Sequence, residues 1–130
     1  MIVLLSIKPQ FAEGIFEGSK RFEFRKAVFR QRVTHVMVYA SAPISMIIGE
    51  FEIDELMHDD LEPLWQKTKE HAGITEEYFY SYFGEKEKGF AIKVKNARRY
   101  QQPLELKLFY SSPAPQSFAY LRAEAIMGPF

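Results

Sequence analysis

The sequence predicts an α+β domain, a small and strongly bent β-barrel with two or three flanking helices. Three observations lead there. Strand-type segments outnumber helical ones along the 130 residues. The helical segments fall between strands as insertions, without the regular βαβ alternation of a doubly wound sheet. Gly49 interrupts an otherwise alternating strand, which is where a sheet bends at a bulge or barrel corner. The length suits one domain over residues 1–130, long enough to bury roughly two thirds of its unfolded surface.

IVLLSI (Ile2–Ile7) is apolar without alternation and suits a strand buried on both faces. Pro9 sits where a first helical turn tolerates it, Phe11 and Ile15 share a helix face, and Gly18 stops that helix. A charged strand over about 20–26 follows. VTHVMVYAS (Val33–Ser41) reads as a central strand, and Pro43 breaks the ladder after it. MIIGEFEIDELMH then alternates Phe51 and Ile53 against Glu50, Glu52 and Asp54.

DDLEPLWQKTKEHAG reads as a helix, with Asp59 or Asp60 as cap, Pro63 in the first turn and Gly73 at the end. ITEEYFYSYFG reads as another, capped by Thr75, with Ile74 and Phe79 spaced as a hydrophobic staple and Gly84 as stop. GFAIKVKNARRY returns to alternation, with Phe90, Ile92 and Val94 inward and Lys93 and Lys95 outward. The tail predicts a short strand or helical turn at Leu104–Phe109, an extended loop, a short segment around Phe118–Leu121, and a frayed GPF end.

The absence of cysteine excludes a disulfide framework, a thiolate zinc site and a cysteine nucleophile, and suits a cytoplasmic protein. No apolar run reaches the ~20 residues of a membrane span, and the opening MIVLLSIKPQF reads as a strand rather than a leader. Net charge is zero, yet basic residues dominate both ends and acidic ones the middle, 36–87. That segregation predicts one basic and one acidic face. It fits either a polyanion partner or an ordinary solvated surface; the acidic Glu50–Glu62 stretch could also meet a basic protein partner.

The most informative stretch is GSKRFEFRK (Gly18–Lys26). Phe22 and Phe24 face one way, Glu23 and Arg25 the other. Lys20 has the wrong parity to join them unless Gly18-Ser19 twists the start of the strand. Lys binds phosphate as a point charge and Arg as a planar fork. A carboxylate between them holds the cations or accepts hydrogen bonds from a base. The competing reading is an exposed ladder of ion pairs.

GSKRFEFRK resembles the Gly-x-Lys-x-x-Glu-x-Arg signature of the ASCH domain (activating signal cointegrator homology), a branch of the PUA-like superfamily. The matching positions are Gly18, Lys20, Glu23 and Arg25. LLSIKPQFAEGIFEG, HVMVYASAPISMIIGEFEI and ITEEYFYSYFGEKEKGFAIKVKNARRYQQPLEL are similar to further family segments, so the likeness runs to about Leu106, within a subgroup described as transcriptional regulators. It implies a PUA-like β-barrel whose cleft, lined by the signature strand, binds RNA, a nucleoside or a nucleotide. Some members resemble amidohydrolases acting on acetylated cytidine, and others ribonucleases. The amidohydrolase pattern has a Thr three residues after the Lys, where this chain has Glu23; its third residue, a helical Glu, would fall near Glu70 or His71.

The expected ligand-binding set is therefore Gly18, Lys20, Glu23, Arg25, Tyr39 and Ser41. Tyr39 and Ser41 share a strand face, where Tyr39 either stacks on a base or packs in the core. If the protein is an enzyme, Lys20 and Glu23 are its catalytic pair. No cofactor and no metal are expected, since His35, His58 and His71 are scattered. Lys93, Lys95, Arg98 and Arg99 either track a phosphate backbone with Tyr100 beside them or solubilise a strand face. In the YFYSYF helix, Phe79 and Phe83 belong to the core, and the tyrosines exceed one stripe, leaving them to solvent, a cleft edge or a dimer contact. A monomer or weak homodimer is expected.

Overall fold

The first strand, β1 (Ile2–Ile7), lies one place in from the edge of a six-stranded mixed sheet in the computed structural model, which describes residues 1–111 and 113–121. Helix α1 (Pro9–Glu17) follows, then β2 (Phe22–Arg25), β3 (His35–Ala40) and the long β4 (Met46–Asp60). Helix α2 (Leu61–Thr68) runs into a 3₁₀ turn at Lys69–His71, and α3 (Glu76–Phe83) leads to β5 (Lys88–Leu104). A second 3₁₀ turn, Leu106–Leu108, precedes β6 (Phe118–Leu121). The strand order is β2-β5-β4-β3-β1-β6; β1 pairs with β3 in parallel and every other pair is antiparallel.

The α+β class, the bend and the three flanking helices agree with the sequence, but the barrel does not close. Strands β2 and β6, four residues each, pair only with β5 and β1 and remain the two ends of the sheet. The bend at Gly49 is visible as slips in register against both neighbours, between Val38 and Tyr39 on β3 and between Ile47 and Gly49 on β4.

Alternation along the strands sorts the core into three clusters. Val3, Leu5 and Ile7 of β1 meet Val36 and Val38 of β3, with Ile15 of α1 and Phe29 among them. Leu4, Met37, Tyr39 and Ile47 point the other way, toward Tyr100 and Leu121. The third cluster places Phe22, Phe24 and Ala91 under Leu64, Trp65, Phe79 and Phe83, which docks α2 and α3 on the β2–β5 end of the sheet.

Helix α3 begins as its sequence dictates. The Thr75 hydroxyl accepts the Tyr78 amide at 3.0 Å, and Ile74 packs in the same cluster as Phe79. Helix α2 differs. Asp60 occupies its cap position without a side-chain cap bond. Asp59 instead accepts the Asp60 amide at 2.8 Å and the Lys67 ammonium at 2.9 Å, and Lys88 lies 3.1 Å from Asp60.

Along the β4–β5 pair the charges segregated in sequence are brought side by side, because acidic β4 pairs antiparallel with basic β5. Glu50 lies opposite Arg98, Glu52 opposite Lys95 and Glu55 opposite Lys93. Arg98 bonds Glu50 at 3.1 Å, Lys93 sits 3.6 Å from Asp54, and Asn96 donates to Glu52 at 2.6 Å. The charges segregated in sequence thus interleave across this strand pair. The expected GPF fraying lies outside the described residues. Among the described residues, no helix is long and apolar enough to cross a membrane.

Candidate functional site

The site grows from the end of α1. Gly18 takes φ +94°, a left-handed turn open to glycine, and the amides of Gly18 and Lys20 both bond the Gly14 carbonyl, at 3.1 and 3.0 Å. This reversal delivers the twist that strand parity alone denied to Lys20. The α2–α3 connection then closes over it. Arg21 donates its amide to the His71 carbonyl at 2.8 Å, and the Lys20 ammonium donates to the Ala72 carbonyl at 2.9 Å. Gly73, at φ +69°, lies so close that a Cβ there would fall 2.4 Å from Lys20 Cβ.

Lys20, Glu23 and Arg25 therefore converge. Lys20 Nζ lies 3.9 Å from Glu23 Oε1, and Arg25 Nη2 lies 2.9 Å from Glu23 Oε2. The Arg25 guanidinium also donates to the Ser6 carbonyl at 2.7 Å and to Ser117 Oγ at 3.3 Å, while its Nε has no partner among the described residues. Only 2%, 6% and 8% of Lys20, Glu23 and Arg25 is exposed, so the reading of this strand as an exposed ion-pair ladder does not hold. The Lys20 ammonium also faces the rings of Phe24 and Phe11, at 5.0 and 5.2 Å. Burial holds the Lys20 pKa below its ordinary 10.5; Glu23 opposes that shift and Arg25 adds to it.

These groups line a cavity of about 670 Å³. Phe11 and Phe24 form part of its wall, with Ser6, Ser41, Gln116 and Ser117 supplying polar groups. Tyr78 and Tyr82, four residues apart on α3, line it from the helix, accompanied by Lys8 and Lys26. Lys8 donates to the Tyr78 hydroxyl at 3.3 Å, and the Lys26 ammonium lies 5.0 Å from the centre of the Tyr82 ring. Burial also raises the Tyr82 pKa.

Of the expected residues, Lys20, Glu23, Arg25 and Ser41 reach the cavity, and Gly18 shapes the turn behind it. Tyr39 does not. It is buried on the opposite sheet face beside Leu4, Ile47 and Tyr100. Strand β3 ends at Ala40, and Ser41, already in a turn, gives its amide to the Ile7 carbonyl at 2.9 Å, so the parity shared with Tyr39 is broken there. Glu70 and His71 are exposed and do not line the cavity. Arg99 pairs with Glu13, and Tyr100 is buried with its hydroxyl 2.7 Å from Glu50 and the Arg98 guanidinium 5.3 Å from its ring centre, outside the cavity lining. Among the described residues no three His, Asp or Glu side chains gather as a metal site.

Lys8 and Lys26 were not singled out as site residues in the sequence, and Tyr78 and Tyr82 were given a cleft edge only as one of three alternatives. Their signal was there. Each lysine directly follows a strand, and the Tyr78/Tyr82 pair keeps the same i, i+4 spacing as the buried Phe79/Phe83 pair one residue along.

The ASCH domain matches residues 5–104. The chain belongs to the ASCH domain family. It is 26% identical over 121 residues to large ribosomal subunit protein uL22 of Ureaplasma parvum serovar 3; the match covers 92% of this chain but only 39% of that protein's length. It is 27% identical over 126 residues to an ASCH domain-containing ribonuclease of Zymomonas mobilis, covering 93% of this chain and 84% of the relative. The crystal structure of ASCH from Zymomonas mobilis superposes with a TM-score of 0.89 at 25% identity, over 97% of this chain and 91% of that one. None of these three carries a transcriptional name. In this ASCH domain, Gln116 and Ser117 complete the cavity wall from beyond the matched span.

Proposed function

We propose that this ASCH domain holds single-stranded RNA, or a nucleotide or nucleoside derived from it, in the cavity over Lys20, Glu23 and Arg25. The observation that carries the reading is the burial of two cations and one carboxylate at the wall of an open, aromatic-lined cavity. Taking an ammonium and a guanidinium out of water costs several kcal/mol per ion on the order-of-magnitude scale, and an apolar replacement would serve stability at least as well. Charges retained at that cost beside a cavity are the arrangement that receives an anionic guest.

In this reading Lys20 supplies point charge and Arg25 a fork held in place by Glu23, Ser6 and Ser117. The rings of Phe11, Tyr78 and Tyr82 offer faces to a base, and Ser41 and Gln116 offer hydrogen bonds to its edge. A place in RNA metabolism or transcriptional regulation follows from such binding. The test is fluorescence anisotropy with a labelled single-stranded RNA. Affinity should fall steeply between about 50 and 200 mM salt. Lys20→Ala with Arg25→Ala should abolish it, and no affinity at low salt overturns the reading.

A second reading, cleavage of the bound RNA, is favoured by the ribonuclease name of the Zymomonas mobilis relative. The 2′-oxygen would attack the adjacent phosphorus and expel the 5′-oxygen, leaving a 2′,3′-cyclic phosphate. Glu23 would take the 2′-hydroxyl proton and return it to the departing 5′-oxygen, and Lys20 would stabilise charge on the phosphoryl oxygens. Hydrolysis of acetylated cytidine has less support. Glu23 stands where that chemistry uses a hydroxyl, and Glu70 lies away from the cavity. Incubation of labelled RNA and of acetylated cytidine with wild type, Glu23→Gln and Lys20→Met separates these activities. Turnover unchanged in both variants rejects this catalytic pair.

A further inference from the structure

We infer that the cavity accepts an internal nucleotide of a strand, with one flanking phosphate on Lys8 and the other on Lys26. The inference rests on the RNA-binding reading and adds the ligand's chain position. The inner cations are already partly neutralised, since Glu23 lies within ion-pair distance of both Lys20 and Arg25. The rim lysines are different. Away from the cavity, Lys67, Lys88, Lys93 and Lys107 each meet an acidic side chain at 2.9 to 3.6 Å, while Lys69, Lys86 and Lys95 form no such pair among the described residues but do not line the cavity. Among the described residues Lys8 and Lys26 meet none; each ammonium rests on a tyrosine ring instead, 5.7 Å from Tyr78 and 5.0 Å from Tyr82.

The two tyrosines stand one turn apart on α3, about 6 Å along its axis. Their lysines come from separate strand ends. Lys8 follows Ile7 at the end of β1 and Lys26 follows Arg25 at the end of β2, and the Arg25–Ser6 hydrogen bond lies between. Within the cavity lining, the uncompensated positive charge is thus divided between two rim positions, and the space between them is walled by aromatic and polar groups. A terminal monophosphate would use one of these cations and leave the other idle. A nucleotide with phosphates on both its 5′ and 3′ oxygens uses both and places its sugar and base inward.

The test compares four probes on the intact chain: a nucleoside, its 5′-monophosphate, its 3′-monophosphate and its 3′,5′-bisphosphate, each in the four RNA bases. For the base that binds best, the bisphosphate should bind at least about tenfold tighter than either monophosphate, a step typical of one added charge-assisted contact. Lys8→Ala should erase the benefit of one phosphate and Lys26→Ala the benefit of the other, with thermal unfolding unchanged because both side chains are on the rim. With a trinucleotide, each variant should lower the salt slope by about 0.7. A bisphosphate no tighter than the better monophosphate overturns the inference, as does loss of the same phosphate's benefit in both variants. If Lys20 and Arg25 prove essential for RNA while Lys8 and Lys26 do not, this inference falls and the RNA-binding reading stands. If no probe and no RNA binds at low salt, both fall.

Discussion

The Arg25 guanidinium donates to the Ser6 carbonyl across 2.7 Å, and so ties β2 to β1, two strands that share no backbone pairing. A side chain, not a backbone ladder, makes the tie at this seam. The seam stays open enough to form a cavity and is held by a group that can also meet a ligand. Fold and candidate site share one residue there.

Removal of Arg25 should therefore be costly before any ligand is added. Arg25→Ala leaves Glu23 buried with only Lys20 at 3.9 Å, and the Ser6 carbonyl loses its guanidinium donor. Urea denaturation should show a loss of about 3–5 kcal/mol, the range for breaking one side of a buried ion pair. Ser117→Ala removes only the 3.3 Å bond and should cost about 1 kcal/mol or less. Equal losses from the two substitutions would contradict the bridging role.

Gly73→Ala should harm the cavity as well as the fold. The new methyl would strain a backbone at φ +69° and meet Lys20 Cβ at 2.4 Å, pushing apart the contact that seats the α2–α3 connection. Gly18→Ala is the control, since its φ of +94° is also left-handed but nothing lies within 4 Å of the added carbon. Each should lose about 1 kcal/mol or more in thermal unfolding. Only Gly73→Ala should displace Lys20 and weaken RNA binding beyond what the lost stability explains.

Lys20 makes stability depend on alkaline pH with a definite sign. Burial lowers its pKa in the folded state, so above that lowered value the unfolded chain holds more protons at this site. Stability from this site is then smallest below the folded pKa and rises with pH up to the ordinary 10.5. Urea unfolding of wild type and Lys20→Met over a pH series isolates the effect. The difference should move in favour of wild type as pH rises; a flat difference would contradict a depressed pKa.

The β4–β5 ladder gives the opposite expectation. Arg98→Ala and Lys93→Ala remove exposed charges already matched by Glu50 and Asp54. Stability should change by about 1 kcal/mol at most. RNA affinity should stay within about twofold of wild type on the order-of-magnitude scale for groups outside the contact. A loss comparable to that of Lys20→Ala would move the binding surface to this ribbon.

Much of this was legible in the sequence where a local rule acts. The alternation of Phe22 and Phe24 against Glu23 and Arg25, the Thr75 cap and the bend at Gly49 depend on neighbours only. The rest depends on pairing. The segregated charges gave no hint that Glu50 faces Arg98, because antiparallel register joins residues 48 apart. The burial of Lys20 depends on Ala72, 52 residues away. Tyr39 was misplaced because the strand ends one residue before the parity argument needed it to. Closure was overestimated because β2 and β6 are too short and too separate to meet by main-chain bonds.

The central claim is tested most directly by a backbone amide NMR titration with a short single-stranded RNA. Shifts should concentrate at residues 6–8, 20–27, 41, 74–82 and 116–117, and vanish in Lys20→Ala with Arg25→Ala. Shifts confined to the β4–β5 ribbon, or none at low salt, would contradict it.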